Sequence, residues 1–187
     1  MERIVKGIAE KYNGKDLSVK LGEIFPGDNV PVVAMEDNKP SLLLMQWGFP
    51  KWGSTEMIIK ARSETAWQKI MFASPLARRR CVIPTTGFFD WETTEGAPQK
   101  KTLFNAPDHP MLYIAGIFTE NQSHGNDEQT AGRFVILTQA AVTGIGGNHI
   151  RTPVMLYKNE IHCWLTDYPF ANAVMSRSTV RINRIAA

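Results

Sequence analysis

The chain has 187 residues, a length that suits one domain with a sizeable core rather than two. Its composition, 43% hydrophobic and 21% charged, excludes disordered and fibrous classes. The net charge of +3 permits a nucleic-acid partner without requiring one. The chain shows no apolar run of membrane-spanning length, no signal-peptide pattern and only two cysteines, so we expect a cytoplasmic protein without a disulfide framework.

The first half of the chain is predicted to contain one helix followed by strands. Apolar residues at helical spacing predict a short amphipathic helix over residues 2–12. Strands are expected where aliphatic runs are bounded by turn residues, at 29–35, 40–49 and the start of 57–65. Residues 66–79 have helical character, and Pro75 is expected to divide or end that helix.

The second half is predicted to consist mainly of short strands. These share β-branched or aromatic runs and cover residues 81–83, 88–92, 101–104, 111–118, 133–138 and 152–157. A turn is expected from Pro84 to Gly87, and short helices at 139–146 and 158–166. This pattern predicts an α+β fold, a single domain over residues 1–187 with mixed, barrel-like β-sheets and short helices. Within strand 88–92 we expect Phe88 and Phe89 in the core.

Three stretches of the sequence stand out, and together they carry a resemblance. The first is "WGFPKW" with "KARSET", the second "RRCVIPTTGFFDWE" and the third "VILTQAAVTGIGGNHIRTPVML". In this order they resemble the SRAP family, the SOS-response-associated peptidase-like proteins. The segment "FPGDNVPVV" also looks like a family strand, with Pro26 on the family proline. The resemblance covers roughly residues 20–166 and implies the SRAP fold.

The resemblance implies a function in the DNA-damage (SOS) response, the recognition of abasic sites in single-stranded DNA. In the family, a cysteine directly after the initiator methionine attacks the ring-opened sugar aldehyde. Its amine and thiol then close a thiazolidine, which leaves a stable protein–DNA cross-link. Single-stranded DNA is therefore the implied partner, with no cofactor and no metal. The word peptidase in the family name suggests hydrolysis of peptides, but its better attested meaning is self-removal of the initiator methionine.

The family's site residues are carried over position by position. Asp90 and His149 fall on the acidic and histidine positions that move protons. The positions expected to contact DNA bear basic, aromatic or proline side chains, and they are Pro26, Trp47, Trp52, Lys60, Arg62, Trp91 and Arg151. Alternatives stay open for Asp90 and His149: Asp90 could be a structural aspartate of a strand, and His149 a hydrogen-bonded histidine of a loop. Arg62 could instead pair with Glu64 or Asp90, and Lys60 could be a phosphate contact or a plain surface residue.

The departures from the family pattern concern the chemistry. Position 2 is Glu2 rather than cysteine, Lys60 replaces the family asparagine and Asp90 replaces its glutamate. We therefore expect a chain truncated at the N-terminus relative to the family, which forms no stable cross-link with abasic DNA. The alternative is a start codon assigned downstream of the true one.

Two other functions compete with abasic-site recognition by cross-linking. One is a degenerate, non-covalent binder of single-stranded DNA. The other is a cysteine-type peptidase or hydrolase built on Cys81 or Cys163 with a histidine. Both cysteines lie in apolar surroundings of the sequence, where a free cysteine usually behaves as a small buried residue. The histidines show no metal-ligand spacing.

Overall fold

The computed structural model describes residues 22–92, 100–106, 109–121, 130–140, 151–177 and 183–185. In chain order the strands are β1 (Asn29–Glu36), β2 (Lys39–Trp47), β3 (Phe49–Pro50), β4 (Met57–Ile58), β5 (Lys60–Arg62), β6 (Arg80–Thr85), β7 (Phe88–Glu92), β8 (Lys100–Asn105), β9 (Leu112–Glu120), β10 (Gly132–Ala140), β11 (Arg151–Pro153), β12 (Met155–Leu156) and β13 (Asn183–Ile185). The helices are two 3-10 helices, Ala66–Gln68 and Lys158–Glu160, and α1 (Ile70–Arg78), α2 (Ile161–Thr166) and α3 (Tyr168–Met175). Within these ranges, none of the helices has the length and apolarity to cross a membrane.

The mixed sheets and short helices confirm the predicted α+β fold. The strands predicted at 29–35, 40–49, 81–83, 88–92, 101–104, 111–118 and 133–138 correspond in order to β1, β2, β6, β7, β8, β9 and β10. The start of 57–65 forms the two short strands β4 and β5, and the strand predicted at 152–157 is divided between β11 and β12. The sequence does not predict α3 or β13. The predicted helix at 2–12 and residues 141–146 of the predicted helix at 139–146 lie outside the described residues, while Gln139 and Ala140 end β10.

Two prolines lie in regular structure where breaks were predicted. Pro75 does not divide or end its helix: α1 runs from Ile70 through Pro75 to Arg78, and the break lies earlier, at the extended backbone of Lys69. Pro75 is buried in the second turn, where its ring removes one backbone hydrogen bond. Pro84, predicted to lie in a turn, belongs to β6. It is paired with β9, whereas β1 pairs with β6 only at Cys81 and Val82, so no second strand needs its missing N–H.

Five strands pair into a closed ring. β1 lies antiparallel between β2 and β6, β9 lies antiparallel between β6 and β10, and β10 runs parallel to β2. One apolar cluster fills the inside of the ring with Val30, Val32, Ala34, Leu43, Met45, Cys81, Ile83, Ile114, Phe118 and Phe134. Side chains alternate along a strand, so the other set faces outward. There the ring packs against the three α-helices. The strands contribute Val82, Ile117, Val135 and Leu137, and the helices contribute Phe72, Leu76, Trp164 and Val174.

The inside of the ring is closely packed where β6 meets β9. Gly116 pairs with Cys81 across these strands. A Cβ at position 116 would lie 2.7 Å from Cδ1 of Ile83 and 3.0 Å from Sγ of Cys81. Glycine at this position therefore lets the two strands carry larger side chains opposite it.

A buried arginine joins the helices to the ring. Arg80 begins β6 and is only 4% exposed. Its guanidinium donates to the carbonyls of Leu76 and Ala77 at the end of α1, at 2.9 and 2.8 Å. It also donates to the carbonyls of Trp164 and Leu165 in α2, at 2.5 and 3.1 Å. One cation thus satisfies carbonyls near the C-terminal ends of two helices, where positive charge is favourable.

Candidate nucleic-acid interface

Strand register brings most of the candidate residues to one end of the ring. β1 begins at this end, and β2 and β6 finish there, as the pairs Asn29–Gln46 and Thr85–Leu112 show. β10 continues past the end of β2, and its second half is flanked by β5 on one side and β11 on the other. The sheet therefore extends beyond the ring at this end, and β7 leaves β6 there.

The extended part of the sheet carries three basic side chains on one face. Lys60 and Arg62 of β5 are paired with Ile136 and Thr138 of β10, and Arg151 of β11 is paired with Ala140 of β10. Paired residues and residues two apart on a strand point to the same side, so all three basic side chains share a face. We call Lys60, Arg62 and Arg151 the cationic face. Lys60 and Arg62 are exposed, and Arg151 is partly buried.

Arg151 is held in one orientation by neighbours on β10 and by Glu64. Its Nε donates to Oγ1 of Thr138 at 3.0 Å, and its Nη2 donates to the Thr138 carbonyl at 2.5 Å and to Oε2 of Glu64 at 2.6 Å. Oε1 of Glu64 accepts the backbone N–H of Ala140 at 3.1 Å. Burial acts to raise the pKa of Glu64, but the hydrogen bonds from Arg151 and the backbone outweigh it, so the pKa lies below its usual value.

The two tryptophans Trp47 and Trp52, both predicted to contact DNA, lie in different settings. Trp47 is the last residue of β2, not a loop residue. Its indole N–H donates to the carbonyl of Ile59 at 3.0 Å, and its ring stacks on Phe134 with a centroid distance of 6.4 Å. Trp52 lies in the loop between β3 and β4 and is fully exposed. Trp47 therefore helps to close the ring's interior, and only Trp52 projects freely into solvent.

Pro26 is also exposed at this end of the ring. It lies in a turn just before β1, where Gly27 has a positive φ of 94° and donates its N–H to the carbonyl of Trp47 at 2.8 Å. This turn is thereby fixed to the end of β2.

Asp90 and Trp91 point to opposite faces of β7. Asp90 is paired with the buried Thr102 of β8 and is partly buried, and its Oδ1 accepts the backbone N–H of Trp91 at 3.0 Å. Trp91 is 57% exposed and shares its face with Phe89, which is 44% exposed. The prediction that Phe89 is a core residue is therefore wrong, because the register of β7 on β8 turns it outward. Phe88 faces inward and stacks on Phe104 at 5.4 Å.

The groups on which a cysteine hydrolase or a metal site would depend are described only in part. Cys81 is fully buried, and burial raises the pKa of its thiol far above the ordinary value. Cys163 is partly buried in α2. His149, the predicted catalytic histidine, lies outside the described residues. Among the residues that the structure describes, no His, Cys, Asp and Glu side chains are grouped so as to hold a metal ion.

The pairing of Glu64 with Arg151 differs from what the sequence offers. The sequence places Glu64 two residues from Arg62 as a possible partner, but its carboxylate binds Arg151 instead, and Arg62 is exposed. The two partners are 87 positions apart in the chain, so no local pattern points to the pair. Thr138, which also holds Arg151, gives no signal in the sequence.

The family profile described as "SOS response associated peptidase (SRAP)" matches residues 4–181. The chain belongs to the SRAP family. It is 26% identical over 148 residues to the abasic site processing protein YoqW of Bacillus subtilis, covering 76% of this chain and 65% of that protein. It is 27% identical over 143 residues to the abasic site processing protein YedK of Escherichia coli, covering 76% and 63%. This SRAP chain thus matches slightly less than two thirds of the length of these relatives.

The fold of the SRAP chain also resembles solved structures. A crystal structure of a protein from Bacteroides thetaiotaomicron superposes with a TM-score of 0.73 at 21% identity, covering 98% of this chain and 86% of that one. At this identity the likeness concerns the fold. It supports the arrangement of sheets and helices described above.

Proposed function

We propose that this SRAP chain recognises abasic sites in single-stranded DNA and binds them through the cationic face. The observation that carries the proposal is the placement of Lys60, Arg62 and Arg151 on one face of the sheet. Two of the side chains are exposed, and the third is fixed by Thr138 and Glu64. Phosphate groups accept charge-assisted hydrogen bonds from such groups, and arginine can bind them with two N–H donors at once.

Two exposed tryptophans on the segments that follow β2 and β6 at this end of the ring favour a single strand over a duplex. Trp52 is fully exposed and Trp91 is 57% exposed. Flat side chains of this kind stack on unpaired bases, which a duplex keeps inside its own stack. The names of the relatives, abasic site processing proteins, support the abasic site as the feature recognised. The family name supports a role in the SOS response to DNA damage.

Asp90 and His149 complete the proposal as groups that move protons at the sugar. Asp90 is partly buried on the inner face of β7, near the end of the ring where the cationic face lies. His149 precedes Arg151 by two positions in the sequence. An aspartate and a histidine can serve as proton acceptor and donor when the hemiacetal ring of an abasic sugar opens to the aldehyde, because the anomeric hydroxyl loses a proton and the ring oxygen gains one.

Fluorescence anisotropy with labelled oligonucleotides tests the proposal. We expect binding to single-stranded DNA containing an abasic site, weaker binding to a blunt duplex, and loss of affinity as salt rises. Arg151→Ala should weaken binding about tenfold, in line with the loss of hydrogen bonds to a charged group. Arg79→Ala is the matched control, because Arg79 precedes β6 at the opposite end of the ring and pairs with Glu120. Absence of binding at low salt, or equal effects of both substitutions, would contradict the proposal.

A further inference from the structure

A third exposed tryptophan lies beside the cationic face and has no role in the structure's core. Trp67 is in the 3-10 helix that follows β5 and is 56% exposed. Ile70 and Met71, at the start of α1, are also exposed, Ile70 almost completely. Large apolar side chains that stay in water this way often mark a contact surface.

Trp67 is connected to the cationic face through Glu64. The indole N–H of Trp67 donates to the backbone carbonyl of Glu64 at 3.2 Å. The carboxylate of the same Glu64 binds Nη2 of Arg151 at 2.6 Å. Ala66, between them in the chain, is completely buried and anchors the 3-10 helix. The indole ring is therefore held at the border of the cationic face while much of its surface remains open.

We propose that Trp67 stacks on a nucleobase next to the phosphate that the cationic face binds. The proposal rests on the proposed function and deepens it by adding a base-contacting residue. A ring fixed by its N–H loses little conformational freedom when a base stacks on it. Positive charge beside an exposed aromatic ring suits single-stranded DNA, because each unpaired base there is followed by a phosphate.

A protein partner or a second copy of the chain fits the surface less well. A stable protein interface buries about 800 Å² on each partner, usually with roughly 20–30 residues a side. Trp67, Ile70 and Met71 are only three side chains, and basic groups adjoin them. A stacked base, by contrast, needs only the open face of the Trp67 ring.

Binding measurements with Trp67→Ala and Trp67→Phe test the proposal. We expect Trp67→Ala to weaken binding of single-stranded DNA about tenfold, within the range measured for loss of one base stack. Trp67→Phe should restore part of the affinity, because it keeps an aromatic face. The slope of log K against log salt should stay unchanged in both variants, whereas Arg62→Ala should reduce it by about 0.7. Tyr168→Ala removes an exposed aromatic from the helix-covered side and serves as the control.

A series of oligonucleotides with one further base removed at each position locates the stacked base. Wild-type protein should lose affinity at one position in particular, and Trp67→Ala should be insensitive to removal of that base. If Arg62→Ala weakens binding and Trp67→Ala does not, the Trp67 proposal is wrong and the proposed function stands. If Trp67→Ala changes only the oligomeric state in size-exclusion chromatography, the surface is a protein contact and the proposal is again wrong. If the wild-type protein binds no single-stranded DNA, both proposals fail.

Discussion

Glu64 and Arg151 form the ion pair that joins β11 to the turn after β5, with Oε2 and Nη2 2.6 Å apart. Both side chains are partly accessible, at 45% and 25% of their surface. The pair has two opposite effects on a nearby phosphate. It fixes the guanidinium, which reduces the entropy cost of binding, and it offers Arg151 a competing carboxylate. The balance of the two effects decides how Glu64 influences DNA binding.

Glu64→Gln is expected to strengthen binding of single-stranded DNA about fivefold at low salt. The amide oxygen of the introduced glutamine can still accept the N–H of Ala140, so the orientation of the turn is kept. Removing a unit charge a few Å from a phosphate is worth about 1 kcal/mol in water, and salt screens it. Anisotropy titrations at low and high salt measure the effect, which should shrink as salt rises. Weaker binding by the variant at low salt would show that the orientation Glu64 gives Arg151 matters more for DNA binding than the competition of its negative charge with phosphate.

Glu160 should contribute to acid sensitivity of the fold. Its carboxylate binds Arg177, and this hydrogen bond, with one from the backbone of Tyr157, lowers its pKa despite burial. A carboxylate whose pKa is lowered by folding stabilises the protein above its unfolded pKa of about 4.5, and the contribution is lost as pH falls through the lower, folded value. Glu160→Gln should therefore lower the melting temperature at pH 7, with a difference that shrinks below pH 4.5.

The matched control for Glu160 is Glu120→Gln. Glu120 forms an ion pair with Arg79 in which its side chain is 61% exposed, and such surface pairs contribute about 0–1 kcal/mol. The control should change the melting temperature little at pH 7. A difference between wild type and Glu160→Gln that stays constant from pH 7 to pH 3 would contradict the assignment of the effect to the charged carboxylate.

Arg80→Met should destabilise the fold strongly. The methionine side chain would fill much of the same space but leave the carbonyls at the ends of α1 and α2 without their donor. Buried groups left unsatisfied cost about 1–3 kcal/mol each, so a total of roughly 3 kcal/mol or more is expected. For a chain of this size that lowers the melting temperature by roughly 6–12 °C. Arg79→Met, one position earlier, breaks only the exposed pair with Glu120 and should cost less than about 1 kcal/mol; equal losses would contradict this account.

The apolar strands were predictable from the sequence, because a strand pattern depends only on residues that are close together in the chain. The apolar runs of β1 and β10 identify them as strands, and the change at Pro26–Gly27 marks the turn before β1. The position of Phe89 was not predictable, because its exposure follows from pairing β7 with β8 and from what covers each face. Periodicity within β7 does not say which face is buried.

The candidate site was predictable as a set of residue types but not as a geometry. Lys60, Arg62 and Arg151 follow from the family resemblance, and strand pairing with β10 then places them on one face. The partner of Arg151 depends on a contact across 87 positions, and the setting of Trp47 depends on Ile59 and Phe134. Contacts of this kind are fixed by tertiary packing, which a single sequence does not encode in any local pattern.

Without a reductant, a polypeptide of these 187 residues is expected to form no heat-stable cross-link with abasic single-stranded DNA. Borohydride is expected to trap a transient imine. A thiazolidine needs an amine and a thiol on one residue, whereas Cys81 and Cys163 are internal and their nitrogens are amides. Cys81 is also completely buried. An amine can still attack the sugar aldehyde and form an imine with loss of water, which hydrolyses unless hydride reduces it. Lys60, exposed on the cationic face, is the side chain placed to do so.

Lys60→Arg distinguishes imine formation by the Lys60 amine from the contribution of its positive charge to DNA binding. Arginine keeps the positive charge, and thus DNA binding, but does not form the imine, so the borohydride-trapped band on a denaturing gel should fall severalfold relative to wild type. Lys158→Arg is the control, because Lys158 is exposed in a 3-10 helix outside the cationic face. The amine of Met1 can supply a residual band in every variant. A heat-stable band from the unmodified chain without borohydride would contradict the prediction of no stable cross-link, and an unchanged trapped yield in Lys60→Arg would show that Lys60 is not the amine that reacts.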